Sequence, residues 1–363
     1  MTQTEIPFVF MRGGTSRGPY MNRAHLPADL ETLAEVLVAI VGSGHPLNID
    51  GMGGGAAVTT KVAMLSRSDD EWADVDYFFA QVSVEDRLVD FKPTCGNILS
   101  GVGPAAIEMG LVEAQEGQTT VNIRAVNTEA RIAAIVQTPR KAVSYEGTAQ
   151  IDGVPGTSAP VALQFMETVG GVTGSFLPTG NLIDTINGVD VTCMDVAMPM
   201  VIAKAESFGL TGYETAADLD ENADFYARMD AIRLEVGERV GMGDVSKSVT
   251  PKFGLLAPAT QGGTIATRYF MPWKCHPTMA VTGAQCLASC VLTPGTVADG
   301  MAAIPNETPA TITLEHASGI IDVVVDYENA TGGFVLKSAG LVRTTRKLAA
   351  GNVFVPAAIW MGN

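Results

Sequence analysis

Cys95 stands in the run Thr94-Cys95-Gly96-Asn97, directly ahead of an apolar segment that reads as a helix. At a helix start a thiol's pKa falls from about 8.5 toward neutrality, so thiol and thiolate both become accessible for proton transfer. The competing reading is a small buried apolar residue, the common fate of a free cysteine. Lys61 lies in the apolar run VTTKVAML, just after the glycine-rich loop Gly51 to Gly55. Burial or a neighbouring cation there would lower its pKa and leave a neutral amine able to act as a base. A surface lysine on a strand edge is the alternative. Lys252, in VTPKFGLL, admits the same two readings.

The loop Arg12-Gly13-Gly14-Thr15-Ser16-Arg17-Gly18 offers two guanidinium forks and two hydroxyls on a flexible backbone, which suits capture of carboxylates by Arg12 or Arg17 with Thr15 and Ser16; a plain turn is the other reading. GMGGGAAVTTK lacks the glycine before lysine that a nucleotide-phosphate loop requires, and GVGPAA is not a dinucleotide fingerprint. Cys286 and Cys290 are four apart on an expected helix, with Cys275 and His276 upstream, but no paired C-x-x-C spacing accompanies them and no metal is assigned.

These groups belong to a chain of 363 residues, 47% hydrophobic and 17% charged, with a formal charge of -16. Such a composition can build a real core, and the length suggests two domains at a prior of about 150 residues each. The negative charge disfavours nucleic-acid and anionic-membrane partners, so an anionic ligand must be held by local cations and backbone N–H groups. The apolar stretch Val36 to Val41 falls far short of the roughly 18 residues of a bilayer span, and the start MTQTEIPFVFMRGG has no signal-peptide pattern. Five cysteines, an odd number, read as free thiols of a cytoplasmic protein.

The elements that must position the candidate residues follow from periodicity. Ile6 to Met11 alternates as a strand that feeds the arginine loop. Asp29 to Val41 is an amphipathic helix capped by Asp29 and stopped by Gly42 and Gly44. VDYFFAQVSV and RLVDF read as strands, and ILSGVGPAAIEMGLV as a helix weakened by Gly101, Gly103 and Pro104. Strands dominate from Thr120 to Glu167, and Asn222 to Val240 is the longest helix, with Phe225, Met229, Ile232 and Val236 on one stripe. An internal repeat superimposes Lys61 on Lys252, and Cys95-Gly96-Asn97 on His276-Pro277-Thr278. Two similar halves, each aiming a helix N-terminus at a shared cleft, would make an anion site from Gly96, Asn97, His276 and Thr278.

At RGGTSRG, IDGMGGG, TTKVA, TCGNILSGVG, IDGVPG, VTCMD, GDVSK, CHPTMAVTGA and GLVRTTRK the sequence resembles the family of 2-methylaconitate isomerases, methylitaconate isomerases and 4-oxalomesaconate tautomerases. The resemblance covers nearly the whole chain. It implies an α+β fold of the diaminopimelate epimerase type: two pseudo-symmetric domains, each wrapping strands around a central helix, with the site between them. The halves are expected at 1–174, to which the final strand at about 350–363 returns, and at 175–349.

It also implies a catalytic pair at Lys61 and Cys95, a small anionic polycarboxylate substrate and a proton shift that uses no cofactor; the residues expected to hold that substrate, read from the loop and the repeat, are Arg12, Thr15, Ser16, Arg17, Gly96, Asn97, Lys252, His276 and Thr278. Amino-acid epimerases of this fold set two cysteines face to face, whereas here the second position is His276 or its neighbour Cys275. A cysteine-based epimerase or racemase, and a non-catalytic accessory or ligand-binding protein of the same fold, stand as alternatives. The position of Cys275 decides the first. The oligomeric state is open, a homodimer among the options.

Overall fold

The computed structural model describes residues 3–166, 168–330 and 333–362. The chain divides into two compact units, Met1–Gln164 with Val342–Asn363, and Phe165–Leu341.

The first unit is built from β1 (Gln3–Gly13), β2 (Ser16–Asn22), α1 (Leu30–Val41), β3 (Lys61–Arg67), β4 (Val75–Val82), β5 (Val89–Asp90), α2 (Gly96–Leu99), α3 (Val102–Glu108), β6 (Gly117–Ala125), β7 (Ala130–Thr138) and β8 (Pro160–Met166), which runs across the boundary. β1 pairs antiparallel with β2, β2 parallel with β3, β3 antiparallel with β4, β4 parallel with β6, and β6 antiparallel with β7.

The second unit contains β9 (Asp184–Ile186), β10 (Val189–Asp195), β11 (Pro199–Lys204), α4 (Ala216–Asp220), α5 (Ala223–Arg239), β12 (Lys252–Pro258), β13 (Ile265–Phe270), α6 (Val281–Leu292), β14 (Ala310–His316), β15 (Gly319–Ala330) and β16 (Gly333–Pro356). From β10 to β15 the pairings run antiparallel, parallel, antiparallel, parallel, antiparallel, the same series as in the first unit. Lys61 and Lys252 therefore open equivalent strands, β3 and β12. Cys95 and His276 both lie between the strand that follows and the inner helix. The low-identity repeat is thus a repeat of topology.

Parallel pairs need crossover connections, and these carry the helices. α1 starts where the Asp29 carboxylate accepts from the Thr32 N–H at 2.8 Å and stops at Gly42, which is left-handed. Its apolar face packs with Ile6, Met21, Val62, Met64 and Val82. α5 begins at the Asn222 cap and buries Phe225, Met229, Ile232 and Val236 beside β11, β12 and β13. α6 is buried from Gly283 to Leu292 and touches β10, β11, β12, β14 and β15, as expected of a central helix apolar on every face. Truncating Leu287 to Ala there should cost about 2–5 kcal/mol. In the first unit the inner position is taken by α2 and α3. Gly103 brings α3 so near the sheet that an added Cβ would meet the Val136 Cγ2 at 2.9 Å.

Several local expectations change. The segment ILSGVGPAAIEMGLV divides at Gly101 into α2 and α3, because Gly101 caps the second helix and lies against the Tyr20 ring. RLVDF keeps only Val89–Asp90 as strand. Between β7 and β8 the backbone forms a loop with a single bridge, Ala149 to Ser158, while Glu167 lies outside the described residues. The unit boundaries fall at 164 and 342, earlier than the expected 174 and 350. The later boundary falls inside β16, which pairs with β15 from Gly333 to Leu341 and with β1 from Thr345 to Pro356. Among the described residues no helix is long and apolar enough to cross a membrane.

Candidate active site

The arginine loop turns between β1 and β2, with Gly14 at a left-handed φ of 51°. An added Cβ at Gly13 would sit 2.5 Å from the Asn97 carbonyl oxygen, and one at Gly14 would sit 2.2 Å from Asn97 Oδ1. These two positions accept no side chain, and the loop lies directly on the turn that carries Cys95. Asn97 Nδ2 donates to Thr15 Oγ1 at 3.0 Å and closes the contact. The IDGVPG turn arrives beside it, since a Cβ on Gly153 would meet Thr15 Cγ2 at 3.1 Å.

Cys95 is the N-cap of α2, half-buried, with no hydrogen bond from its side chain to the helix. Because α2 is a single turn, its macrodipole is smaller than the sequence suggests. Beneath it lie two buried phenols. Tyr20 Oη donates to the Ile98 carbonyl at 2.5 Å, and Tyr77 lies near Thr94 and the Cys95 backbone. Burial first, and then the neighbouring thiol, push both phenol pKa values well above the ordinary range, so both stay protonated.

Lys61 opens β3 and is half-buried. The chain of β2 passes so close that a Cβ on Gly18 would lie 1.7 Å from the Lys61 carbonyl oxygen. Its ammonium donates to Gln81 Oε1 at 2.5 Å and stands 5.4 Å from the centre of the Phe79 ring. The two arginines of the loop differ. Arg12 Nη1 is occupied by the carbonyls of Gly14 at 2.8 Å and Thr344 at 2.9 Å, which ties the GLVRTTRK strand to the loop. Burial, with repulsion from Arg346, lowers its pKa. Arg17 is exposed, its guanidinium over the Phe10 ring and beside Gly54 of the glycine loop. Ser16 is buried at the start of β2.

In the second unit Lys252 and His276 are close enough for the lysine charge to act on the imidazole. Burial lowers the His276 pKa most, and Lys252 lowers it further. His276 Nδ1 accepts from the Thr278 N–H at 3.0 Å, which leaves Nε2 as the N–H of the neutral ring. His276, Pro277 and Thr278 precede α6 rather than forming its first turn, because the helix is capped by Ala280. Lys252 has a lowered pKa from burial and from Arg233.

Cys275 points the other way. It is 3% exposed, packs in the apolar cluster with Phe225 and Phe270, and its thiol is pushed up to about 11, chiefly by burial. A thiol buried in this way cannot serve as the second catalytic thiol of an epimerase. Cys286 and Cys290 are fully buried on α6, and among the described residues no cluster of three metal-ligating side chains forms.

The model of the PrpF protein family matches residues 3–356. The chain belongs to the PrpF family. Within that family it is 46% identical over 349 residues to the (4E)-oxalomesaconate Delta-isomerase of Novosphingobium sp. (strain KA1), covering 96% of this chain and 97% of the relative. It is 43% identical over 362 residues to the 4-oxalomesaconate tautomerase of Pseudomonas putida, covering 100% and 99%. The crystal structure of methylitaconate-delta-isomerase superimposes with a TM-score of 0.90 at 34% identity, over 99% of this chain and 97% of that one.

Three residues around the candidate groups of this PrpF chain escape a reading of its motifs. Tyr20 bonds the Ile98 carbonyl of α2, Gln81 bonds the Lys61 amine from the neighbouring strand, and neither carries a motif signal. Arg233 is fully buried, bonds Asp230 at 2.9 Å and holds the carbonyls of Val245 at 3.0 Å and Ser248 at 3.1 Å, so it shapes the GDVSK loop ahead of Lys252. An arginine beside the apolar stripe of α5 is the one sequence signal it offers.

Proposed function

We propose that this chain, an isomerase of small unsaturated carboxylates, migrates a double bond by moving one proton, with Lys61 as the base and Cys95 as the acid. The neutral Lys61 amine takes a proton from the allylic carbon, and the electron pair of that C–H bond enters the conjugated system. Carboxylate and keto groups spread the charge into an enolate, which an Arg17 fork and loop hydroxyls stabilise as it forms. The Cys95 S–H bond then breaks as a C–H bond forms at the far end of the allyl unit. Substrate and product have one composition, and Lys61 and Cys95 return to their starting states by exchanging protons with solvent. Because the substrate's own acceptors delocalise the charge, the step calls for neither a metal nor an organic cofactor.

The observation that carries this reading is the packing of the arginine loop on the chain at both candidate residues: Gly13 and Gly14 against Asn97 of the Cys95 turn, and Gly18 against the Lys61 backbone carbonyl. Lys252 and His276 are assigned to substrate carboxylates, one as a cation and the other as an N–H donor. The names of the relatives favour a 4-oxalomesaconate-like substrate over a methylaconitate-like or methylitaconate-like one. The formal charge of -16 and the free thiols support a cytoplasmic enzyme with no nucleic-acid or membrane partner.

An ultraviolet assay of the purified protein against these unsaturated di- and tricarboxylates, run in parallel in deuterated water, tests the reading. Turnover of oxalomesaconate with deuterium entering a carbon position is expected. Absence of both signals across the panel would refute it.

A further inference from the structure

We infer that Gln81 is the positioning residue of Lys61: a neutral acceptor that aims the amine and keeps a carboxylate away from it. The inference rests on the reading that Lys61 is the base. Lys61 on β3 is the direct register partner of Gln81 on β4, and Gln81 is in turn the direct partner of Asp90 on β5. Residues opposite one another in antiparallel pairs share a sheet face, so Lys61, Gln81 and Asp90 form one lateral row. Gln81 stands between the amine and the acid.

The orientation of the Gln81 amide follows from its neighbours. Nε2 faces Thr60 Oγ1 at 3.1 Å and the carbonyls of Ala57 at 3.1 Å, Val82 at 3.2 Å and Thr60 at 3.4 Å. All of these accept, the hydroxyl included, because its own proton is already donated to the Val82 carbonyl at 2.6 Å. Turning the amide over would set its oxygen against three carbonyls, so Oε1 is held toward Lys61, 2.5 Å away. One amine N–H is thereby committed, and the lone pair of the neutral amine takes a defined direction.

The Phe79 ring on β4 also faces the Lys61 amine, and β2 runs alongside at Gly18, against the Lys61 carbonyl; Asp76, at the far end of β4, is engaged by Arg124 at 2.7 Å. Among the described residues Lys61 has no ion pair. A carboxylate in place of the Gln81 amide would keep the proton on the amine, whereas an apolar side chain would leave the amine unaimed.

The test compares Gln81→Glu, Gln81→Met and Lys61→Met with the wild-type protein, each checked for folding by thermal melting, using turnover of the unsaturated carboxylate across pH. Gln81→Met is expected to lower kcat by about 10-fold or more with KM within about 3-fold, as loss of aim without loss of binding requires. Gln81→Glu, nearly isosteric, is expected to move the rising limb of the kcat profile upward by about one pH unit or more. If Lys61→Met is inactive while both Gln81 variants match the wild-type rate and pH profile, Gln81 has no positioning role. If Lys61→Met itself turns over, the base assignment falls and this inference with it.

Discussion

Tyr20 donates its hydroxyl to the carbonyl of Ile98 at 2.5 Å, from a side chain with no exposed surface. That carbonyl belongs to the single-turn helix opened by Cys95, and it also accepts the Gly101 N–H at 3.0 Å. The phenol thus holds the helix of the proposed acid from below. Tyr20→Phe keeps the packing and removes the donor, so stability should fall by about 1–2 kcal/mol. Turnover should fall with it while KM changes little. Unchanged melting and unchanged kcat would show that the short helix needs no such support.

Cys95 has a half-buried thiol that makes no capping hydrogen bond to its helix among the described residues. Cys95→Ser preserves size but replaces a thiol by a far weaker acid, so turnover should drop by roughly 100-fold or more. Substrate should still bind, as measured by calorimetry on the inactive variant. Near-normal turnover would remove Cys95 from the mechanism.

Arg12 and Arg17 should separate in kinetics although they share a loop. Arg17 is exposed and points no hydrogen bond at the described residues, so Arg17→Ala should raise KM more than it lowers kcat. Arg12 holds the Gly14 and Thr344 carbonyls, so Arg12→Ala should lower the melting temperature as well as activity. Equal KM values for wild type and Arg17→Ala would end the carboxylate assignment for that residue.

His276 gives a pH signature. Its folded pKa lies below the ordinary histidine value, chiefly through burial, so the unfolded chain binds the proton more readily. Stability linked to His276 is complete above about pH 6.5 and declines as pH falls through the folded pKa. Melting curves between pH 7 and pH 5 should show this decline, and His276→Gln should flatten it. Lys252→Met, which removes the nearby charge, should make the wild-type decline shallower, while weakening substrate binding and leaving proton exchange measurable. An identical pH dependence in wild type and His276→Gln would assign the decline to other groups.

Much of this protein was readable from its chain. Periodicity and caps located α1 and α5 nearly to the residue, since each is governed by contacts a few positions apart. The motifs marked the arginine loop, the Cys95 turn and Lys61. The repeat paired Lys61 with Lys252, and the strand pairings make the same match. What the chain alone left undecided were relations across strands. Gln81 meets Lys61 from 20 residues away and Tyr20 meets Ile98 from 78 away, neither spacing leaving any periodic trace. Arg12 and Arg17 are chemically alike in sequence, but the arrival of Thr344 from 332 residues away engages the first, while the second is exposed. Cys275 and His276 are adjacent, yet the first is buried with Phe225 and Phe270 while the second stands half-open beside Lys252. Local propensity is a property of neighbours in the chain, whereas the use of each side chain depends on strand register, and only the folded sheet sets that register.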